Sequence, residues 1–298
     1  MGKNGMYRLL DSGGFQKLEQ VGEFRMVRPA AQAVWRPRLS ASEWTKVDAI
    51  FTRFSGGDGR WEVRNRKLPE SWIMEVPGLG ALRIRLTDFG HLGIFPEQHA
   101  NWQRLAALVE ARKATVAGGE LRVLNLFAYT GGSTLAAARG GAHVAHVDAS
   151  KTSVAWAREN AEAAGLSARP IRWLVDDVQK FVAREVRRGI KYHGVILDPP
   201  SYGRGPRGEA WKIEEMLPEL LDGIRQLLAD DYVFVLLSGH SGGYTPVALT
   251  NLLAGVVDPG AGSFDASEML VTEDGADPSG FRRQLPSGAH CWFIRGPR

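Results

Sequence analysis

An α/β fold built on a mostly parallel sheet is what this sequence predicts, and three observations predict it. From about Leu121 onward, short apolar runs alternate with helical stretches, the mark of successive βαβ units. One of those runs, Tyr232–Leu237, is almost wholly apolar, as a central strand covered on both faces has to be. After it the tail offers two strand-like segments with only turn residues between them, and such neighbours pair antiparallel.

Taken in order, residues 1–95 hold short β-like segments, Glu23–Arg28 and Ala81–Leu86, among Gly, Pro and Trp, with a helix expected around Trp44–Phe54. They read as a small β-rich N-terminal domain. Residues 96–298 read as the second domain, entered through a helical bridge from Gln98 to Val116. That domain opens with a strand at Leu121–Phe127, then Gly131-Gly132 and an Ala-rich helix over Thr134–Arg139. His143–Val147 is the next strand, and Lys151–Ala164 a helix stopped by Gly165. The strand Ile171–Val175 leads to a helix over Val178–Arg188, and His193–Leu197 is the fourth strand. A long helix is expected over Glu209–Leu228, kinked or divided by Pro218, which cannot donate and whose ring crowds the preceding turn. Tyr232–Leu237 is the fifth strand and Pro246–Val257 a helix. Ser263–Val271 and Ala289–Arg295 are the closing strands, on either side of the turn-rich stretch Glu273 to Gly288.

Composition narrows the class of function. The 298 residues are 44% hydrophobic and 23% charged, ordinary for a globular chain and not for a disordered one. No apolar run approaches the ~18 residues that span a bilayer, and Met1 to Gly14 carries neither a signal-peptide core nor a transit pattern. The single cysteine, Cys291, rules out an intramolecular disulfide and a multi-cysteine metal site. A cytoplasmic protein with no metal and no membrane partner is expected. Net charge is +4, but residues 1–95 hold 15 Lys and Arg against 10 Asp and Glu, leaving 22 against 23 in the rest. A basic appendage beside a near-neutral body suits a polyanion, although a solvated charged face has the same composition.

In open α/β sheets, ligands bind beyond the carboxyl ends of the strands, where strand order reverses, so the residues after each strand carry the function. The first strand is followed by Phe127-Ala128-Tyr129-Thr130-Gly131-Gly132-Ser133. Paired glycines let a backbone approach a ligand and turn tightly into a helix, and a plain strand-to-helix turn uses them too. No third glycine makes this a dinucleotide fingerprint. The second strand ends at Asp148, whose carboxylate can accept from the vicinal hydroxyls of a ribose or can cap a helix. The third ends at Asp176-Asp177. Asp177 is the preferred acceptor for an adenine amino group, and Asp176 the cap. The fourth ends at Asp198-Pro199-Pro200-Ser201-Tyr202. Glycines, Asp, Asp and Asp-Pro-Pro at four consecutive strand ends form a specific conjunction.

On Leu124–Ser133, Asp148, Asp177 and Asp198–Tyr202 the chain resembles the class I S-adenosylmethionine-dependent methyltransferases, and more narrowly the bacterial large-subunit ribosomal RNA methyltransferases. The segment Gly93-Ile94-Phe95-Pro96-Glu97-Gln98 is similar to that family too, with His99 where an arginine is common. The resemblance implies a Rossmann-like seven-stranded sheet whose last strand is antiparallel. It also implies S-adenosyl-L-methionine held by Gln98, Phe127, Tyr129, Thr130, Gly131, Gly132, Asp148 and Asp177.

Methyl transfer from a sulfonium is an in-line displacement, so the protein mainly aligns the nucleophile. Asp198, Pro199, Pro200 and Tyr202 are the catalytic candidates. The prolines stiffen the strand end and leave carbonyls aimed at the pocket, Asp198 accepts from a nitrogen nucleophile, and Tyr202 stacks on an extruded base. Methylation of cytosine carbon 5 needs a thiolate, which family members carry in the loop after the fifth strand. Here that loop is Leu237-Ser238-Gly239-His240-Ser241-Gly242-Gly243-Tyr244, and Cys291 falls in the last strand as core. A nitrogen acceptor is therefore expected, with His240 a base, a substrate contact or a structural polar group. Arg60-Trp61, Arg64, Arg66 and Lys67 form one exposed-looking cluster. Arg204, Arg207, Trp211 and Lys212 form another beside Tyr202, expected to guide RNA phosphates. The expected substrate is RNA, ribosomal RNA first. A protein side chain or small metabolite is the alternative acceptor, and a non-catalytic RNA-binding or assembly protein the alternative class.

Overall fold

A computed structural model describes residues 6–54, 58–205 and 208–296. Backbone contacts divide the chain into two units. The first comprises residues up to Glu97 together with Leu270–Ser287, and the second Gln98–Met269 with the residues from Gly288 on. The sequence reading draws a single cut after residue 95. The structure instead adds the far end of the C-terminal hairpin to the N-terminal unit.

In the first unit, β1 (Tyr7–Gly13), β2 (Gln16–Val21) and β3 (Phe24–Pro29) form an antiparallel meander. After α1 (Ala41–Thr45), β4 (Ala49–Arg53) joins β3 in parallel, and β5 (Gly59–Val63) closes a five-stranded sheet. A hairpin of β6 (Ser71–Val76) and β7 (Gly80–Arg85) stands apart. The helix expected over Trp44–Phe54 is thus a five-residue helix followed by a strand. Ser40 caps the helix, and Asp48 ends it by accepting from Arg25 N (2.7 Å) and Asn65 Nδ2 (2.7 Å). Ala49 and Phe51 then bury alternate side chains, the period of a strand. Leu270–Ser287 is bound here through Leu9, Ala30, Ala33, Val271 and Leu285, and through Glu273, which accepts from Ser12 Oγ (2.6 Å) and pairs with Arg38.

In the second unit α2 (His99–Arg112) leads to β8 (Arg122–Leu126), α3 (Gly132–Gly140), β9 (His143–Asp148), α4 (Lys151–Ala163) and β10 (Ile171–Val175). There follow α5 (Val178–Arg187), β11 (Gly194–Leu197), a hairpin of β12 (Tyr202–Arg204) and β13 (Ala210–Lys212), and α6 (Ile213–Leu227). The chain ends with β14 (Phe234–Gly239), α7 (Pro246–Ala254), β15 (Gly262–Thr272) and β16 (Gln284–Arg295). The seven-stranded sheet runs β10-β9-β8-β11-β14-β16-β15. Its first five strands are parallel, and β16 is antiparallel to β14, as expected.

The hairpin β12–β13 replaces the first turn of the expected Glu209–Leu228 helix. Pro218 does not divide α6, which runs on from Ile213 to Leu227. It faces water, so the carbonyl one turn back on the exposed Glu214 is solvated. The stripe Ile213, Leu217, Leu220, Leu221, Ile224 and Leu227 anchors the helix along its other side. The closing strands are longer than the sequence suggests, because Asp277 folds the turn by accepting from Ser279 N, Ser279 Oγ and Phe281 N. Among the described residues no helix is long and apolar enough to cross a membrane.

Candidate active site

Strand order reverses at β8. Successive strands run outward through β9 and β10 on one side and through β11 and β14 on the other, which sets a crevice beyond the carboxyl ends of β8 and β11. The loop after β8 has the most unusual backbone in this unit. Phe127 and Tyr129 have positive φ (54° and 47°), and Gly131 sits at 90°. On Phe127 and Tyr129 such conformations cost of order 1–3 kcal/mol each and persist where surrounding bonds over-determine them. Here Ala128 N donates to Val147 O (3.1 Å), Gly131 N to Ala128 O (3.0 Å), and Asn160 Nδ2 to Thr130 O (2.9 Å). Thr130 is buried, and the Phe127 ring packs on Trp211 at 4.7 Å between centroids. The two glycines have different reasons. Gly131 supplies the left-handed turn, whereas a Cβ on Gly132 would fall 2.5 Å from the indole of Trp102.

Asp148 closes the loop from the next strand. Its Oδ2 accepts from Tyr129 N (2.8 Å) and its Oδ1 from Ser150 N (2.8 Å). Burial raises its pKa above the usual carboxylate value, and those two N–H groups oppose the rise. Helix α4 is capped by Ser150. At the end of β10 the helix cap is Asp177 and not Asp176. Asp177 is the cap of α5, its Oδ1 accepting from Lys180 N (2.9 Å), while Asp176 pairs with Arg184. The reason is register: Asp177 holds the extended backbone just before the first helical residue, Val178, and a cap must stand there.

After β11, Asp198 is gripped at one oxygen. Gln98 Nε2 donates to its Oδ2 (3.0 Å) and to Ser238 Oγ (3.1 Å), while Gln98 Oε1 accepts from Asn101 Nδ2 (2.7 Å). Asp198 Oδ1 is buried and receives no hydrogen bond among the described residues. His240 Nε2 stands 3.2 Å from it, an ion-pair distance that misses hydrogen-bond geometry. The loops after β11 and β14 are tied again by Ser241 Oγ donating to Ser201 Oγ (2.7 Å).

The proline carbonyls do not both face the crevice. Trp211 Nε1 donates to Pro200 O (2.7 Å), and Trp211 itself is buried, not part of an exposed cluster. An indole needs a partner when its ring enters a core, and the β12–β13 turn brings this one under the proline. Tyr202 is 54% exposed at the mouth of that hairpin. Arg204 is exposed, Lys212 pairs with Glu215 (2.8 Å), and Arg207 lies outside the described residues. Sequence reasoning missed Ser238, Asn101, Trp292 and the Trp211–Pro200 bond. Only Ser238 carried a signal, its place at the carboxyl end of β14. Cys291 is fully buried on β16, as expected.

A family model described as S-adenosylmethionine-dependent methyltransferase matches residues 99–231. Ribosomal RNA large subunit methyltransferase I of Aeromonas salmonicida is 36% identical over 163 residues, 54% of this chain and 39% of that protein. Ribosomal RNA large subunit methyltransferase K of Neisseria meningitidis serogroup B is 34% identical over 150 residues, 50% of this chain and 40% of that one. The chain thus spans about two fifths of the length of these curated relatives. The crystal structure of an S-adenosylmethionine-dependent methyltransferase from Agrobacterium tumefaciens matches with TM-score 0.88 and 39% identity, covering 99% of this chain and 91% of that one. Carrying the same fold over nearly its whole length at that identity, this chain belongs to the S-adenosylmethionine-dependent methyltransferase family.

Proposed function

We propose that this protein transfers a methyl group from S-adenosylmethionine to a nitrogen of a base in RNA, ribosomal RNA first, in the cytoplasm. The residues suit that cofactor. The Asp148 carboxylate accepts one N–H at each oxygen and keeps lone pairs for ribose hydroxyls. Asp177 uses one oxygen as a cap and has a second for the adenine amino group. The strained Phe127–Gly132 loop offers Tyr129, Thr130 and close backbone approach at Gly131. When bound, the cofactor supplies an electrophilic methyl carbon on a sulfonium.

The observation that carries the reading is the buried Asp198 Oδ1, which receives no hydrogen bond among the described residues and stands 3.2 Å from His240 Nε2, on a carboxylate already held by Gln98. A substrate N–H received there turns its nitrogen lone pair to one direction, and positioning of this kind supplies ~7–11 kcal/mol of a barrier. Pro199 O is the second acceptor, since Pro200 O takes Trp211. Tyr202 stacks on the base, and Arg204, Arg207 and Lys212 guide the phosphates. A nitrogen acceptor is favoured because the loop after β14 has His240 and no cysteine, and Cys291 is sealed in the core. The relatives' names supply the RNA.

The test is methyl transfer from radiolabelled cofactor to ribosomal RNA, with nucleosides read by mass spectrometry. Asp198→Ala is expected to abolish transfer and keep RNA binding. Label that survives ribonuclease, or 5-methylcytosine as product, overturns the acceptor; full activity of the variant overturns the role of Asp198.

A further inference from the structure

We infer that Trp292 and Asn101 are positioning residues that set the direction of a buried hydrogen-bond relay ending on Asp198. The inference rests on Asp198 being the acceptor for the nucleophile. The chain of bonds is short and enclosed. Trp292 Nε1 donates to Asn101 Oδ1 (2.8 Å), Asn101 Nδ2 to Gln98 Oε1 (2.7 Å), and Gln98 Nε2 to Asp198 Oδ2 (3.0 Å). Trp292, Asn101 and Gln98 are 0%, 2% and 4% exposed, so water does not compete for these groups.

The direction follows from chemistry. A carboxamide can be turned end for end with little change of shape, and then offers an oxygen where it offered an NH₂. An indole N–H can only donate. Trp292 therefore requires the Asn101 oxygen to face it, which leaves the Asn101 NH₂ for Gln98, which requires the Gln98 oxygen to face Asn101. The Gln98 NH₂ is then the only end left for Asp198 and Ser238. One donor on β16 thus decides that a donor, and not an oxygen, meets the Asp198 carboxylate. Met269 Sδ, 3.6 Å from Asn101 Nδ2, is a weak acceptor that agrees with the same orientation. Held at Oδ2, the carboxylate keeps one rotamer, with Oδ1 beside His240 Nε2 (3.2 Å).

Asn101→Asp reverses the relay without changing its shape. A carboxylate there still accepts from Trp292 but cannot donate to Gln98, so the Gln98 amide turns and sets its oxygen against Asp198. Replacing Asp198 by Asn then restores a donor to that oxygen. In the wild type, Asp198→Asn leaves stability nearly unchanged, since the new amide can offer its own oxygen to Gln98. The experiment is a thermal-melting double-mutant cycle at pH 8 with Asn101→Asp, Asp198→Asn and the pair. Asn101→Asp is expected to lower Tm by several degrees, and the pair to melt above Asn101→Asp alone. Additive shifts overturn the relay, because Asn101 and Asp198 share no direct bond. This readout needs neither cofactor nor RNA, so it can succeed where the proposed activity fails. Should Asn101→Asp not fold, Trp292→Phe decides by kinetics. A fall in kcat with the KM for S-adenosylmethionine unchanged supports the relay, and an unchanged kcat overturns it.

Discussion

The imidazole of His146, on β9 just before the crevice, shows how one buried side chain ties this site to pH. Asn125 Nδ2 donates to Thr134 Oγ1 (2.9 Å), and the same hydroxyl shares a hydrogen bond with His146 Nδ1 (2.9 Å). The ring is held neutral, and burial, with some help from Arg158, pushes its pKa down to about 3. In the unfolded chain an imidazole titrates near 6.5. The unfolded state therefore takes up the proton first as pH falls. Stability is fully present above about 6.5 and is lost toward 3 by about 1.4 kcal/mol per pH unit. Denaturant unfolding at pH 7 and pH 5 should show a loss about 2 kcal/mol larger in wild type than in His146→Gln. Equal losses in the two proteins would mean that this histidine is not held neutral. At Asp148 the linkage has the opposite sense, for its pKa is raised: stability is lost as pH rises and this carboxylate ionises in the folded chain.

Elements place these residues through close packing as much as through hydrogen bonds. Helix α2 lies along α3 so tightly that a Cβ on Gly140 would meet Ala106 O at 2.6 Å, and one on Gly132 would meet the Trp102 ring at 2.5 Å. The Phe127–Gly132 loop is thus wedged against an indole. Gly132→Ala should destabilise by roughly 1–3 kcal/mol, the cost of overpacking a filled site, and Trp102→Leu in the same chain should recover part of it. Melting of the three variants checks this; an unshifted Gly132→Ala would show that the loop gives way freely. The glycine pair was visible in the sequence as a turn. Its second reason was not, because Trp102 lies 30 positions away on an element with no obvious periodicity toward it. The short hairpin β12–β13 was equally hidden. Its three-residue strands are too brief for a pattern, and only the Trp211–Pro200 bond marks where it docks.

For the whole molecule, the charge asymmetry read from the sequence meets a surface that divides into paired and unpaired cations. Lys212 is tied to Glu215, and Arg64 to Glu62, whereas Arg204 stands exposed beside Tyr202. Exposed pairs of this sort contribute little to stability, and under the proposed function the cations of this loop serve RNA binding. Arg204→Ala with Arg207→Ala should weaken binding to ribosomal RNA. It should also lower the slope of log K against log salt by about 1.4, two single-strand phosphate contacts at ~0.7 each. Filter binding from low to moderate salt reads this, and an unchanged slope removes that loop from the RNA path.

By itself the sequence determined the parallel α/β class, the order of strands and helices in the second unit apart from the β12–β13 hairpin, and the polar residues at four strand ends. These are local properties: a period of two or 3.6 and a turn residue are written within a few positions of each other. Folding decided which of those residues meet. Gln98 reaches Asp198 across 100 positions and Trp292 reaches Asn101 across 191, and Pro200 finds its donor in a buried tryptophan that composition had left on the surface. Hydrogen-bond partners so far apart have no periodic trace. They are fixed by sheet register and helix packing, which bring distant strand ends to one edge before any side chain can choose its neighbour.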